Sequence, residues 1–405
     1  MLKKNPISDF GITIRDLVVI SCLIANAYSW YFVVFDILRQ ITQNLSYFET
    51  IAMWTVNFAT VSCSAIGGAS LSSRFPRNRF LSCWIFVGII CSIIPFFIGT
   101  TSTVGIFISF FLLSFAFGIG MPSCMGYYAD RTHVENRGRI GGTAFFITFI
   151  ATFLLSMIKI YEIQTQILTI TVWRAVGLVI FLLLKGENPS KTKNVPMYRL
   201  IIHERPFLFY FVAWSMFCLV NYLSLPILSR FFGEDFVSFS SLVEGVIAGF
   251  FALVGGFLSD IIGRKRVVIS GFIMLGCGYA ILGIFNQSPL SWYFYTIVDG
   301  IAFGMLGLVF FIILWGDLSH EMTSDKYYAL GGFPSLLSNL LQSLVSQDLA
   351  ERVPIYAVFS LASFFLFLAV LPLMYVPETL PEKEIREREL KGYIEKAKKV
   401  KEKYT

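Results

Sequence analysis

The chain has 405 residues, 56% of them hydrophobic and only 14% charged, with a net charge of +6 and a mean hydropathy of +0.70. Soluble domains carry about 25% charged residues, so this is the composition of a membrane protein. Its cations are split among short loops and a tail with no aromatic-interleaved groove, which excludes a nucleic-acid partner.

A span needs about 20 apolar residues to cross a hydrocarbon core of about 30 Å. By that measure the sequence predicts twelve transmembrane helices, at 16–38, 50–71, 80–99, 103–127, 139–159, 163–184, 206–228, 236–259, 267–286, 290–315, 327–348 and 354–376. The polar start MLKKNPISDF (residues 1–15 form the N-tail) is followed by no cleavage-site pattern, so no removable signal peptide is expected. Span one carries Asn26 and Trp30, read as facing a central cavity, and Asp36, read as a local ion pair with Arg39. Span five carries Thr148, Thr152 and Ser156 on one face, and span six holds Arg174 at mid-membrane, where an interhelical pair or snorkelling is expected.

The connection at 185–205 is the longest polar break and divides two bundles, 16–184 and 206–376. Trp214 and Asn221 in span seven are further cavity candidates. An ionisable group at mid-span costs about 2.5–3.5 kcal/mol, so Asp299 in span ten and Glu244 in span eight are expected to couple protons or hold substrate. Ser335, Asn339, Gln342 and Ser346 share one face of span eleven and are read as lining the cavity. Trp292, Tyr293 and Trp315 read as an interfacial belt. Residues 377–405 form a charged tail, expected as a surface helix.

The stretch 255–266, GGFLSDIIGRKR, joins spans eight and nine. Gly256 permits close helix packing, Gly263 a tight turn, and Asp260 is expected to cap the amides that open span eleven, near Lys326–Gly332. Arg264, Lys265 and Arg266 anchor orientation and can pair with nearby acids. All 32 Lys and Arg residues except Arg39, Lys159, Arg174, Arg230 and Arg352 fall on the side bearing both termini. The positive-inside rule puts that side, and both termini, in the cytoplasm of a multi-pass plasma-membrane protein.

Landmarks recur at nearly one offset. Gly68 and Gly256, Asp130 and Asp317, and the pairs Gly141–Gly142 and Gly331–Gly332 are each 187 to 190 residues apart. That is a parallel six-plus-six repeat, the organisation of a two-bundle transporter. The seven cysteines lie in apolar runs without a CxxC pair, and His133, His203 and His320 have no metal-ligand spacing, so neither disulfides nor a metal are expected. The absence of GxSxG and GxxxxGK[ST] argues against an enzyme and against any cofactor.

Over essentially its whole length the chain resembles the major facilitator superfamily. Gly256-x-x-x-Asp260-x-x-Gly263-Arg264-Lys265 is similar to that family's loop motif. The first-half copy, GASLSSRFPRNR from Gly68, is altered, with Ser72 at the aspartate position and Phe75-Pro76 for Gly-Arg. Asp260 is therefore expected to act alone as the loop acid. Tyr127-x-x-Asp130 with Arg137-Gly138-Arg139, and Pro377-Glu378-Thr379, resemble the sugar-porter branch, although Asp130 stands for its usual Glu. The resemblance implies an all-α fold of two six-helix bundles with helices one, four, seven and ten around a cavity. It also implies alternating-access transport of a small polar organic solute, a sugar or organic acid, with protons as coupling ion. A monomer in contact with membrane lipids is expected. A drug-efflux antiporter and a transport-dead sensor are the alternatives.

Overall fold

The computed structural model describes residues 11–100, 102–186, 194–319, 322–344 and 354–380. Ser346, His320, Arg352 and the tail from 381 onward lie outside these residues. Among the described residues, eleven helices are long and apolar enough to cross a membrane. In chain order the membrane helices are α1 (Ile14–Thr42), α2 (Tyr47–Ser72), α3 (Arg77–Ile98), α4 (Thr103–Arg131), α5 (Arg137–Ile160) and α6 (Ile163–Leu184), then α7 (Arg205–Phe232) and α8 (Glu234–Ile262). They continue with α9 (Arg264–Ile284) and α10 (Pro289–Leu318). The segments Asp325–Gly331 and Phe333–Ser343 together form α11, and α12 is Tyr356–Tyr375. The result is two six-helix bundles, α1–α6 and α7–α12.

Helix starts follow from local chemistry. Thr13 accepts the Asp16 amide to open α1, and Ser46 and Glu49 form a reciprocal capping box on α2. Gly263 has φ +100, a conformation that glycine adopts freely, and this single residue joins α8 to α9. Several helices run past the hydropathy-defined ends, because a helix does not stop where its residues become polar. α4, for example, continues from apolar sequence through Asp130 to Arg131.

Burial separates central from peripheral helices. α1 and α10 are the most buried spans, whereas α5 and α6 present wide apolar faces outward, as a lipid-facing surface should. The two bundles meet most closely where α5 crosses α8. A Cβ on Gly256 would strike the Gly138 carbonyl and come within 3.0 Å of Gly142 Cα, so only glycine allows this approach.

α10 contains a π-helical segment, Leu308–Ile313. Two carbonyls of this widened turn accept phenolic hydroxyls from other helices, Phe311 from Tyr28 on α1 at 3.3 Å and Ile312 from Tyr328 on α11 at 2.5 Å.

Candidate functional site

Between the bundles lies a cavity of about 320 Å³. Its wall is largely aromatic, with Tyr28, Tyr31, Phe32 and Phe35 from α1 facing Phe310, Phe311 and Trp315 from α10. Its polar side chains are Asp36, Arg39, Ser335 and Asn339, together with the phenols of Tyr28, Tyr31, Tyr222 and Tyr328. Asn339 Oδ1 is a buried acceptor without a hydrogen-bond partner. Ser335 and Asn339 thus lie where the stripe on span eleven suggested. Gln342 lies instead on a second, lateral cavity and accepts from Arg39 at 3.0 Å.

The other cavity candidates face elsewhere. Asn26 donates to the Trp173 carbonyl at 2.7 Å and accepts from Arg174 at 2.9 Å, and Trp30 donates to Ser92 at 3.0 Å. α1 therefore turns its Asn26/Trp30 face to α6 and α3 and its tyrosines and phenylalanines to the cavity. Trp214 donates to the Gly331 carbonyl at 3.1 Å and stacks on Phe310, while Asn221 lines neither cavity. Trp315 is buried in the cavity wall and Trp292 is buried against the Asn286 carbonyl, so of the proposed belt only Tyr293 is exposed. The hydroxyls of Thr148, Thr152 and Ser156 each satisfy themselves on a backbone carbonyl of their own helix.

At the basic face, two ionic clusters tie one bundle to the other. In the first, Asp260 accepts the amides of Gly138 at 2.8 Å and Arg139 at 2.9 Å, plus the Arg139 and Arg264 side chains at 3.0 Å each. It caps α5, not α11, because the loop of each half crosses to the helix start of the other. Asp317 joins Arg137 at 2.5 Å and Arg264 at 3.0 Å, and the Asp260, Arg264 and Asp317 side chains are wholly buried.

The second cluster occupies the equivalent place in the other half. Arg77 bridges Asp130 at 3.2 Å and Asp325 at 2.8 Å, and Ser72 donates to Asp325 at 2.5 Å. Asp260 is therefore the acid of the loops themselves but does not act alone, since the first cluster has Asp325. The missing carboxylate of the first loop reappears on the helix start that loop meets. By the repeat offset, Arg77 corresponds to Arg264, Asp130 to Asp317, Ser72 to Asp260 and Asp325 to Arg137.

Glu378, noted only as part of a terminal motif, accepts the amides of Arg264 at 2.9 Å and Lys265 at 3.0 Å and so caps α9. The Lys265 ammonium donates to the carbonyls of Met374 and Val376.

The intramembrane ions also differ from expectation. Asp36 pairs with Lys159 at 2.8 Å rather than with Arg39, whose guanidinium lies over the Phe35 ring. Arg174, by contrast, makes the expected interhelical pair, with Asn26 of α1 at 2.9 Å, and does not snorkel: it is fully buried between the rings of Trp30 at 5.0 Å and Trp84 at 4.6 Å. Asp299 accepts from Tyr295 at 3.1 Å, and Tyr295 in turn meets Tyr279 of α9 at 3.0 Å. Asp299 lines neither cavity, and Glu244 on α8 is near enough for the two charges to interact.

A family model described as Major Facilitator Superfamily matches residues 1–156 and 207–402. The chain belongs to that superfamily. Its members are transporters, and the two bundles, the cavity between them and the paired loop clusters take their places in that architecture. The aminotriazole resistance protein of Saccharomyces cerevisiae is 28% identical over 169 residues, which is 39% of this chain and 30% of that protein. The chain thus matches under a third of that relative's length. Two solved structures share the fold. The human organic anion transporter MFSD10 has a TM-score of 0.70 at 12% identity, over 89% of this chain and 99% of that one. The proton:xylose symporter XylE bound to 6-bromo-6-deoxy-D-glucose has a TM-score of 0.69 at 15% identity, over 90% and 96%.

Proposed function

We propose that this superfamily member carries a small organic anion across the plasma membrane by alternating access, as a monomer with its basic face in the cytoplasm. The bundles 16–184 and 206–376 rock about the cavity, and the two ionic clusters hold the cytoplasmic side shut. The observation that carries the solute class is Arg39. It lines the cavity and donates to the neutral amide of Gln342, with no carboxylate in ion-pair contact among the described residues, which favours a solute carboxylate, sulfonate or phosphate. Of the two solute classes suggested by the sequence, an organic acid has the Arg39 charge to meet in this largely aromatic wall, which a neutral sugar does not use. The printed description of MFSD10 as an organic anion transporter agrees with this reading.

Proton coupling is assigned to the buried Asp299 with the half-buried Glu244, acids on adjacent helices of one bundle. A panel of radiolabelled organic acids and sugars, tested in proteoliposomes with and without an imposed proton gradient, checks the assignment. Gradient-stimulated uptake of acids is the expected result, and sugar uptake without acid uptake would overturn the solute class.

Export of a toxic compound is the second reading, favoured by the likeness to the aminotriazole resistance protein. Expression in an aminotriazole-sensitive host tests it, and unchanged tolerance removes it.

A further inference from the structure

Where α5 and α8 pass the glycine contact at the basic face, they separate toward the opposite face and leave a groove of about 1110 Å³ between the two bundles. Gly245 faces open space in it, since a Cβ added there would meet nothing within 4 Å. The walls are apolar, with Phe149, Ile150 and Phe153 on α5 and Leu242 and Val246 on α8. Ile150, Phe153, Leu242 and Val246 are also exposed on the outer surface of the bundles, so the groove opens sideways onto lipid. Where it meets α1 the groove shares Phe32, Asp36 and Arg39 with the central cavity, so only these three side chains stand between the two.

The charges at this junction are unequal. Among the described residues one acid, Asp36, stands there with two cations, Lys159 and Arg39, so the junction is net positive. A route with an apolar wall facing the bilayer and a cation at its inner end fits a molecule with an apolar body and an anionic head. A wholly polar solute gains nothing from the wall, and an uncharged apolar one gains nothing from the cation.

We infer that the solute is an amphiphilic organic anion that enters the central cavity laterally from the bilayer, between α5 and α8, with its head on Arg39. This rests on the carrier reading above and names its substrate class and path.

The test uses the full chain in proteoliposomes and two anions that stay charged at all working pH values, n-octyl sulfonate and ethyl sulfonate. Octyl sulfonate is expected to be taken up with a KM at least tenfold lower. Gly245→Leu, which puts a branched side chain into the groove from a position where a Cβ meets nothing within 4 Å, should cut octyl sulfonate uptake at least fivefold and leave ethyl sulfonate uptake within twofold. Arg39→Gln should lower both. If Gly245→Leu leaves octyl sulfonate uptake within twofold of the parent, the lateral route is overturned while the carrier reading stands. If neither sulfonate moves but a neutral solute does, the anionic class is overturned. Absence of flux for every solute would instead sink the carrier reading.

Loss of fold in Gly245→Leu is separated by a second measurement, on Gly245→Cys with the exposed Cys63, Cys83 and Cys277 replaced by serine. The new thiol should react with a bilayer-dissolved pyrene maleimide, and octyl sulfonate should protect it. Reaction only with a water-soluble reagent overturns the lateral route.

Discussion

The Ser72 hydroxyl donates to the Asp325 carboxylate at 2.5 Å, at the site where the other half places a carboxylate on the loop itself. The acid has changed sides of the contact, from loop to helix start. Arg77 compensates by bridging Asp325 to Asp130, so the first cluster is still closed by an ion pair that crosses the bundles.

Asp325→Asn should therefore weaken closure of the basic face about as much as Asp260→Asn does. Both variants are expected to raise thiol labelling of cysteines introduced beneath the clusters by roughly tenfold, the effect of about 1.4 kcal/mol on a two-state equilibrium. Adding Ser72→Asp to Asp325→Asn returns the acid to the loop within reach of Arg77 and should recover most of the difference. An Asp325→Asn protein that labels like the parent would show that the second cluster holds nothing shut.

Asp317 accepts from both Arg137 and Arg264, all three buried. Asp317→Asn leaves two buried guanidiniums short of a partner, and removing one member of such a pair costs about 3–5 kcal/mol. Thermal unfolding in detergent should fall by several degrees. Lys159→Ala, which removes the half-exposed partner of Asp36, should cost no more than about 1 kcal/mol.

Gly256→Ala places a Cβ against the backbone of Gly138 and Gly142 and should push α5 and α8 apart, with lower stability and a leakier basic face. Gly67→Ala is the matched control, because a Cβ there meets nothing within 4 Å. Equal melting temperatures for the two variants would refute the close contact.

Arg174→Lys keeps the charge but loses the planar group stacked between Trp30 and Trp84, along with part of its geometry toward Asn26. It should destabilise the first bundle by about 1–2 kcal/mol and shift tryptophan emission. Arg174→Gln should cost more. A parent-like melting curve for both would leave the ring contacts without energetic weight.

Asp299→Asn should abolish uptake driven by a pH gradient while sparing solute exchange at equal pH on both sides. Retained gradient-driven uptake would remove Asp299 from proton coupling.

Much of the fold is legible in the sequence because it depends on length and repetition. Apolar runs long enough to cross a bilayer give the helices, the recurrence of Asp130 at Asp317 gives the doubling, and Gly263 gives the turn. The site is less legible, because a polar residue in an apolar helix does not reveal which neighbour it meets. Asn26 reads equally well as a cavity residue and as a partner for Arg174, and only the rotation of α1 decides between them. Asp260 was matched to the wrong helix start because the crossing of one bundle's loop to the other bundle leaves no local trace. Glu378 caps an element more than a hundred residues earlier in the chain, and no local window contains both partners. The Asp325 substitution could have been found by applying the repeat offset to Arg137.

The π-helical turn at Leu308–Ile313 has a geometric effect well beyond its own length. One extra residue in a turn rotates everything after it by about 100° relative to a regular helix. Asp317 comes four residues after this segment, so the phase that points its carboxylate at Arg137 and Arg264 is set in the cavity wall. The turn is in turn held by hydroxyls from Tyr28 and Tyr328, one from each bundle. α10 thus acts as a keyed shaft: the tyrosines that grip it beside the cavity also fix the angle at which its far end engages the lock.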